Sequence, residues 1–192
     1  MTFCVYLTHP EVQIDPAIPV PEWGLSQTGR DRAAHAGKLD WAAKIRRVIA
    51  SEERKAIETA EIFAEPFELP VETDAAFHEN DRSATGFLPP PEFEATADQF
   101  FANPEQSIRG WERAKDAQTR IVRAVKTAVL NSPDSDPILF SGHGGVGTLL
   151  KCHLMGVPIS RKHDQQGGGH YYLFEKSTLN TQSAGALDWK RL

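Results

Sequence analysis

The chain has 192 residues, 40% of them hydrophobic and 24% charged, with a formal net charge of −5. That length suits one well-filled core and the composition is that of an ordinary soluble globular protein. The acidic balance argues against a broad nucleic-acid surface, and no apolar stretch reaches the roughly 18 residues a membrane-spanning helix needs.

The opening segment MTFCVYLTHP carries neither a basic n-region nor a small-residue cleavage site, so no signal peptide is expected. Cys4 and Cys152 both fall in apolar runs, which fits buried free thiols in a reducing, cytoplasmic compartment. Residues 2–8 read as a buried strand that stops at Thr8-His9-Pro10. Ser26 is a natural N-cap for an Ala-rich helix near 27–37, KIRRVIAS (44–51) is rich in strand formers, and RKAIETAEIFAEPF has a 3.6-residue apolar period broken at Pro66. LPVETDAAF is extended and weakly patterned.

Between about 80 and 110 the chain turns Pro-rich, with a short helix in EFEATADQFFANP, and reads as a lid or insertion. Its Phe87, Phe93, Phe100, Phe101 and Trp111 are expected to form a small core of their own. A long helix follows near 111–130. DPILFSG is a buried strand, and GVGTLLKCHLMG is a helix stopped by Gly156 and Pro158. GHYYLFEK and the last dozen residues read as edge strands. The alternation predicts an α/β fold: a three-layer αβα sandwich on a mostly parallel sheet, one domain over 1–192.

Ligands of open α/β sheets collect at the carboxyl ends of strands. His9 ends the first strand, Arg54 follows RRVIAS, His143 follows PILFSG, and Glu79 closes TDAAFHE. Two histidines, an arginine and a carboxylate suit phosphoryl transfer. A neutral imidazole attacks phosphorus, arginine's planar fork holds phosphoryl oxygens, and a carboxylic acid protonates the leaving oxygen. Pro10 favours an extended His9.

These segments resemble the histidine phosphatase superfamily, the phosphoglycerate-mutase-like group. YLTHPE falls at its Arg-His-Gly motif and GLSQTGRDRAAHAG resembles Leu-Thr-x-x-Gly-x-x-Gln-Ala. SEERKAIETAEIFA is similar to Ser-x-x-x-Arg-Ala-x-Gln-Thr-Ala, with Arg54 taken as its arginine. FHEND supplies Glu79, and FSGHGGVGTLL the second histidine. The resemblance implies that His9 is the phosphorylated nucleophile and Glu79 the proton donor. It places Arg54 and His143 on the phosphoryl group, with Gly144 exposing backbone donors to an anion. It implies no metal or organic cofactor, and a phosphomonoesterase acting on a small phosphorylated molecule. A mutase is the weaker reading, because the chain is short.

One departure stands out: the first motif arginine is Thr8, and Pro10 replaces the glycine. Either Arg82 or Arg109 reaches in beside Thr8 to supply the lost charge, or the pocket binds phosphorylated ligands with little or no turnover. GHGGVG (142–147) also matches the dinucleotide fingerprint, with Asp164 at a suitable distance, but too little chain follows for further βα units. His35, His78, His153, His163 and His170 carry no expected role, and Cys152-His153 lacks a second pair for zinc.

Overall fold

Both faces of the first strand, β1 (Phe3–Thr8), are covered: Cys4 and Tyr6 enter one hydrophobic cluster and Val5 and Leu7 another. A strand buried on both sides must be apolar throughout, which is why its sequence runs without alternation. In the computed structural model, which describes residues 2–192, β1 joins five further strands; Met1, the first residue of the expected domain, lies outside the described residues. These are β2 (Arg47–Ala50), β3 (Val71–Thr73), β4 (Ile138–Gly142), β5 (His170–Glu175) and β6 (Lys190–Arg191). They form one sheet in the order β3-β2-β4-β1-β5-β6. The pairs β1–β4, β2–β4 and β2–β3 are parallel, while β5 runs antiparallel to both β1 and β6.

Helices α1 (Gln27–Ala36) and α2 (Arg54–Ala64) cover one face. Helices α3 (Pro90–Ala102), α4 (Ala114–Leu130), α5 (Gly144–Met155) and the short α6 (Thr178–Thr181) lie on the other side. Ser26 caps α1 by accepting from the Gly29 N–H at 3.0 Å. Gly156 ends α5 in the left-handed region at φ +66°, where a side chain is disfavoured. Both cysteines are free and buried, and among the described residues no helix is long and apolar enough to cross a membrane.

Three expectations need correction. The segment GHYYLFEK is no edge: β5 sits between β1 and the two-residue β6, so its Tyr172 and Phe174 are buried in the core. The stretch before Glu79 is extended only over Val71–Thr73. Asp74 then accepts from the Ala76 N–H at 2.8 Å and starts a 3-10 turn. The aromatic residues of 80–110 do not make a separate core. Phe100, Phe101 and Trp111 join the cluster that includes Ile121, Val125 and Phe140, and Phe87 alone stays exposed, packed on Trp23 at 5.5 Å.

Candidate active site

The sheet order puts the ends of β2, β4 and β1 side by side. Register fixes their level: Thr8 lies opposite Gly142 and Ala50 opposite Ser141. The ladder continues one residue further, with His9 N–H donating to Gly142 O and Ser51 N–H to Ser141 O, each at 3.0 Å. His9, Ser51 and His143 therefore leave adjacent strands at one height. The rings of His9 and His143 stand 5.3 Å apart at an interplanar angle of 66°.

His9 Nδ1 is 2.9 Å from the carbonyl oxygen of Pro10. A carbonyl only accepts, so Nδ1 carries the proton and Nε2 keeps the lone pair. Burial, with Lys55 nearby, pushes the His9 pKa down to about 4. The imidazole is therefore neutral and nucleophilic across the ordinary pH range.

His143 is fully buried, and burial holds it well below the usual histidine range against the opposing pull of Glu53. Its Nε2 is 2.9 Å from Ser51 Oγ and 3.4 Å from Glu53 Oε1, while its Nδ1 is buried without a partner among the described residues. Tyr6 grips the backbone of His143 on both sides, its hydroxyl accepting from His143 N–H and donating to His143 O, both at 3.2 Å.

Arg54 is not brought to these groups. It is largely exposed and paired with Glu58 at 2.9 Å. Consecutive helix residues point about 100° apart, so the next position faces the other way. Lys55 is 3% exposed; its Nζ lies 2.5 Å from Glu53 Oε2 and donates to Val20 O at 3.0 Å. Counting Ser-x-x-x-Arg from Ser51 also lands on Lys55, so the cation that this segment contributes is a lysine one residue on. Glu53 is its counter-ion. Burial would raise the Glu53 carboxyl, but His143, Lys55 and the Glu79 N–H outweigh it and hold it well below the usual carboxylate range.

Glu79 reaches the start of α5. Its oxygens accept from the N–H groups of Gly145 at 3.0 Å and Val146 at 2.9 Å, and from Asn80 at 3.1 Å. These amides are among those that a helix start leaves without an intrahelical partner. The glycines make room: a Cβ on Gly145 would be 2.6 Å from Glu79 Oε1, and one on Gly144 would be 2.6 Å from Gln165 Nε2. Arg120 fixes the approach of this segment, donating to the carbonyls of Ala76, His78 and Glu79.

Thr8 is fully buried and is not an open anion donor. Its hydroxyl accepts from His170 N–H at 2.9 Å and lies 2.8 Å from Gln165 Oε1. Arg82 is held differently, with its guanidinium 5.2 Å from the Phe93 ring centre and 5.6 Å from that of Trp111. No acidic partner engages it among the described residues, and its charge bears on both His9 and His143. Arg109 points elsewhere, into an exposed pair with Glu92. No group of three or more metal-ligating side chains occurs among the described residues.

Sequence reasoning missed Tyr6, Ser51, Glu53, Lys55 and Gln165 as site residues. The motif spacing from Ser51 was a usable signal for Lys55. For Gln165, 22 residues beyond His143, none existed.

A search of curated proteins found no match. Among solved structures, the chain is similar to a mycobacterial glucosyl-3-phosphoglycerate phosphatase at 18% identity and TM-score 0.77, covering 99% of this chain and 96% of that one. YhfR from Bacillus stearothermophilus gives 22% identity and TM-score 0.77, with 91% of each chain covered. A phosphoserine phosphatase from Entamoeba histolytica, solved with 3-phosphoglyceric acid, gives 12% identity and TM-score 0.76 over 100% of this chain and 98% of that one. At such identities these likenesses show the fold. A family model, histidine phosphatase superfamily (branch 1), matches residues 17–172; that range holds Lys55, Glu79 and His143 and begins after His9. The chain belongs to the histidine phosphatase superfamily.

Proposed function

We propose that this protein is a cytoplasmic phosphomonoesterase that hydrolyses a small phosphorylated molecule through a phosphohistidine on His9. The observation that carries the reading is the pinned tautomer: Nδ1 donates to Pro10 O at the end of a central strand, leaving Nε2 free beside His143. In the first step Nε2 forms the N–P bond as the P–O bond to the leaving group breaks, and Glu79 delivers the proton to that oxygen. Water then attacks phosphorus as its proton passes to the Glu79 carboxylate, the N–P bond breaks, and inorganic phosphate leaves with His9 and Glu79 restored. Arg82, Lys55 and His143 flank the phosphoryl group in this reading.

The test is hydrolysis of p-nitrophenyl phosphate with wild type and His9→Ala, together with an alkaline denaturing quench to trap an acid-labile, base-stable phosphoprotein. Turnover and labelling by wild type alone support the reading. Equal rates in both proteins would sink it. A second reading, a binding protein with little turnover, is favoured by one feature: the Glu53 carboxylate lies against His143 and neutralises Lys55. Tight vanadate binding without turnover would select it.

A further inference from the structure

Thr8 removes a charged donor from the end of β1, yet its hydroxyl is committed to a side chain that reaches the same place. We propose that Gln165 is the phosphoryl-oxygen donor that stands in for the missing arginine, and that Thr8 is the positioning residue that aims it. This rests on the phosphatase reading for the ligand's chemistry, though not for its turnover.

The geometry runs outward from Thr8. The Thr8 hydroxyl accepts from His170 N–H at 2.9 Å and has two acceptors for its own proton, Gln165 Oε1 at 2.8 Å and the more distant His170 O at 3.2 Å. An amide whose oxygen is held this way presents its NH2 group at the opposite end. That nitrogen lies 2.6 Å from where a Cβ of Gly144 would be, at the first residue of α5 and directly after His143. Gln165 is half-buried and its amide nitrogen donates to no acceptor among the described residues, while the neighbouring His143 Nδ1 is fully buried and without a partner. The Gln165 amide nitrogen thus sits at the start of α5, directly after His143, whose ring packs edge-on to that of His9.

The loop is fixed behind this contact. Asp164 Oδ1 accepts from Gln165 N–H and from Thr148 Oγ1, both at 2.8 Å, which anchors the residue to α5. Gly169 N–H donates to His9 O at 2.9 Å, and a Cβ on Gly168 would be 2.7 Å from that same oxygen, so the loop is packed against the nucleophile's own backbone. A neutral amide differs from arginine in one respect that matters here: it donates without adding charge to a site that already holds the Lys55–Glu53 pair and Arg82.

The experiment measures vanadate affinity by calorimetry and p-nitrophenyl phosphate turnover for wild type, His9→Ala, Gln165→Ala, Gln165→Glu, Thr8→Val and Thr8→Ser. Gln165→Ala is expected to weaken vanadate binding and lower kcat by about 10²-fold, the loss typical of one oxyanion donor. Gln165→Glu, which removes the donors and adds a negative charge, should be worse than alanine. Thr8→Val should move kcat in the same direction with a smaller change in KM, and Thr8→Ser should restore it. If Gln165→Ala stays within about 3-fold of wild type in both measurements while His9→Ala is dead, the donor role is wrong and the phosphatase reading survives. If nothing turns over but Gln165→Ala still weakens vanadate binding, the donor role stands and the phosphatase reading falls. Absence of both turnover and vanadate binding in wild type overturns both.

Discussion

The imidazole of His9 is oriented by the residue directly after it, Pro10, whose carbonyl oxygen accepts from Nδ1 at 2.9 Å. The link is local, so the tautomer survives whatever happens in the rest of the pocket. It also makes a statement about pH. Neutral His9 is the reactive form and its pKa is depressed to about 4, so kcat/KM should hold as pH falls from 7 to 5 and drop only near pH 4. The folded state binds its proton later than the unfolded chain, whose ordinary value is 6.5, so the unfolded state holds more protons between those limits. This stabilising contribution is fully present above about 6.5 and lost as pH falls toward 4. Urea titrations at pH 7 and pH 5 would show it, with a smaller difference in His9→Asn.

Arg82 holds its guanidinium 5.2 Å from the Phe93 ring centre and 5.6 Å from that of Trp111, has no acidic partner among the described residues, and bears electrostatically on the two histidines. Arg82→Ala should raise the vanadate dissociation constant by roughly 10- to 100-fold, the size of a charge-assisted hydrogen bond. Arg82→Lys should recover only part of this, because an ammonium keeps the charge but not the stacked plane. Inhibition constants for the three proteins at low and at high salt measure both effects.

Lys55 and Glu53 are both buried and depend on each other. Lys55→Met leaves the Glu53 carboxylate uncompensated and should cost about 3–5 kcal/mol in urea unfolding. The double variant Glu53→Leu/Lys55→Met should regain most of that. A double variant as unstable as Lys55→Met would show that the ion pair is not what matters there.

Thr8→Arg, which restores the family residue, is not expected to improve the enzyme by itself. The Thr8 side chain is fully buried and Gln165 already fills the space beyond it. Overpacking of this kind costs about 1–3 kcal/mol, which corresponds to a melting temperature lower by roughly 2–12 °C in a chain of this size. Thr8→Arg combined with Gln165→Gly opens that space and should melt higher than Thr8→Arg alone. Thermal scans of the three proteins decide the matter.

The strands that carry the chemistry were legible because they are buried on both faces: FCVYL and PILFSG admit no other reading of their apolar runs. The helix ends at Ser26 and Gly156 were legible because capping is local chemistry. β5 was misread as an edge because what covers it, the two residues of β6, leaves almost no trace in sequence. In the site, His9, Glu79 and His143 could be read from strand ends and motif order. Arg54 was taken as the motif arginine, although the spacing from Ser51 lands on Lys55 and helix geometry turns position 54 outward. The Thr8–Gln165 contact joins residues 157 positions apart through one hydroxyl, and no local pattern encodes it.

The cation facing the histidines is carried by the segment before α3 and is braced by rings from α3 and from the approach to α4. Phe93 is tied to the packing of α3, which Arg161 in turn holds through Glu94 and Asp98. Hydrophobic repacking in this region therefore displaces charge. A change such as Phe93→Leu, which touches no ligand, would act at a distance as an electrostatic mutation, and its effect would fade with ionic strength as that of an altered arginine does. In this protein the share of the local potential that Arg82 contributes at the nucleophile depends on how well an aromatic layer fits together.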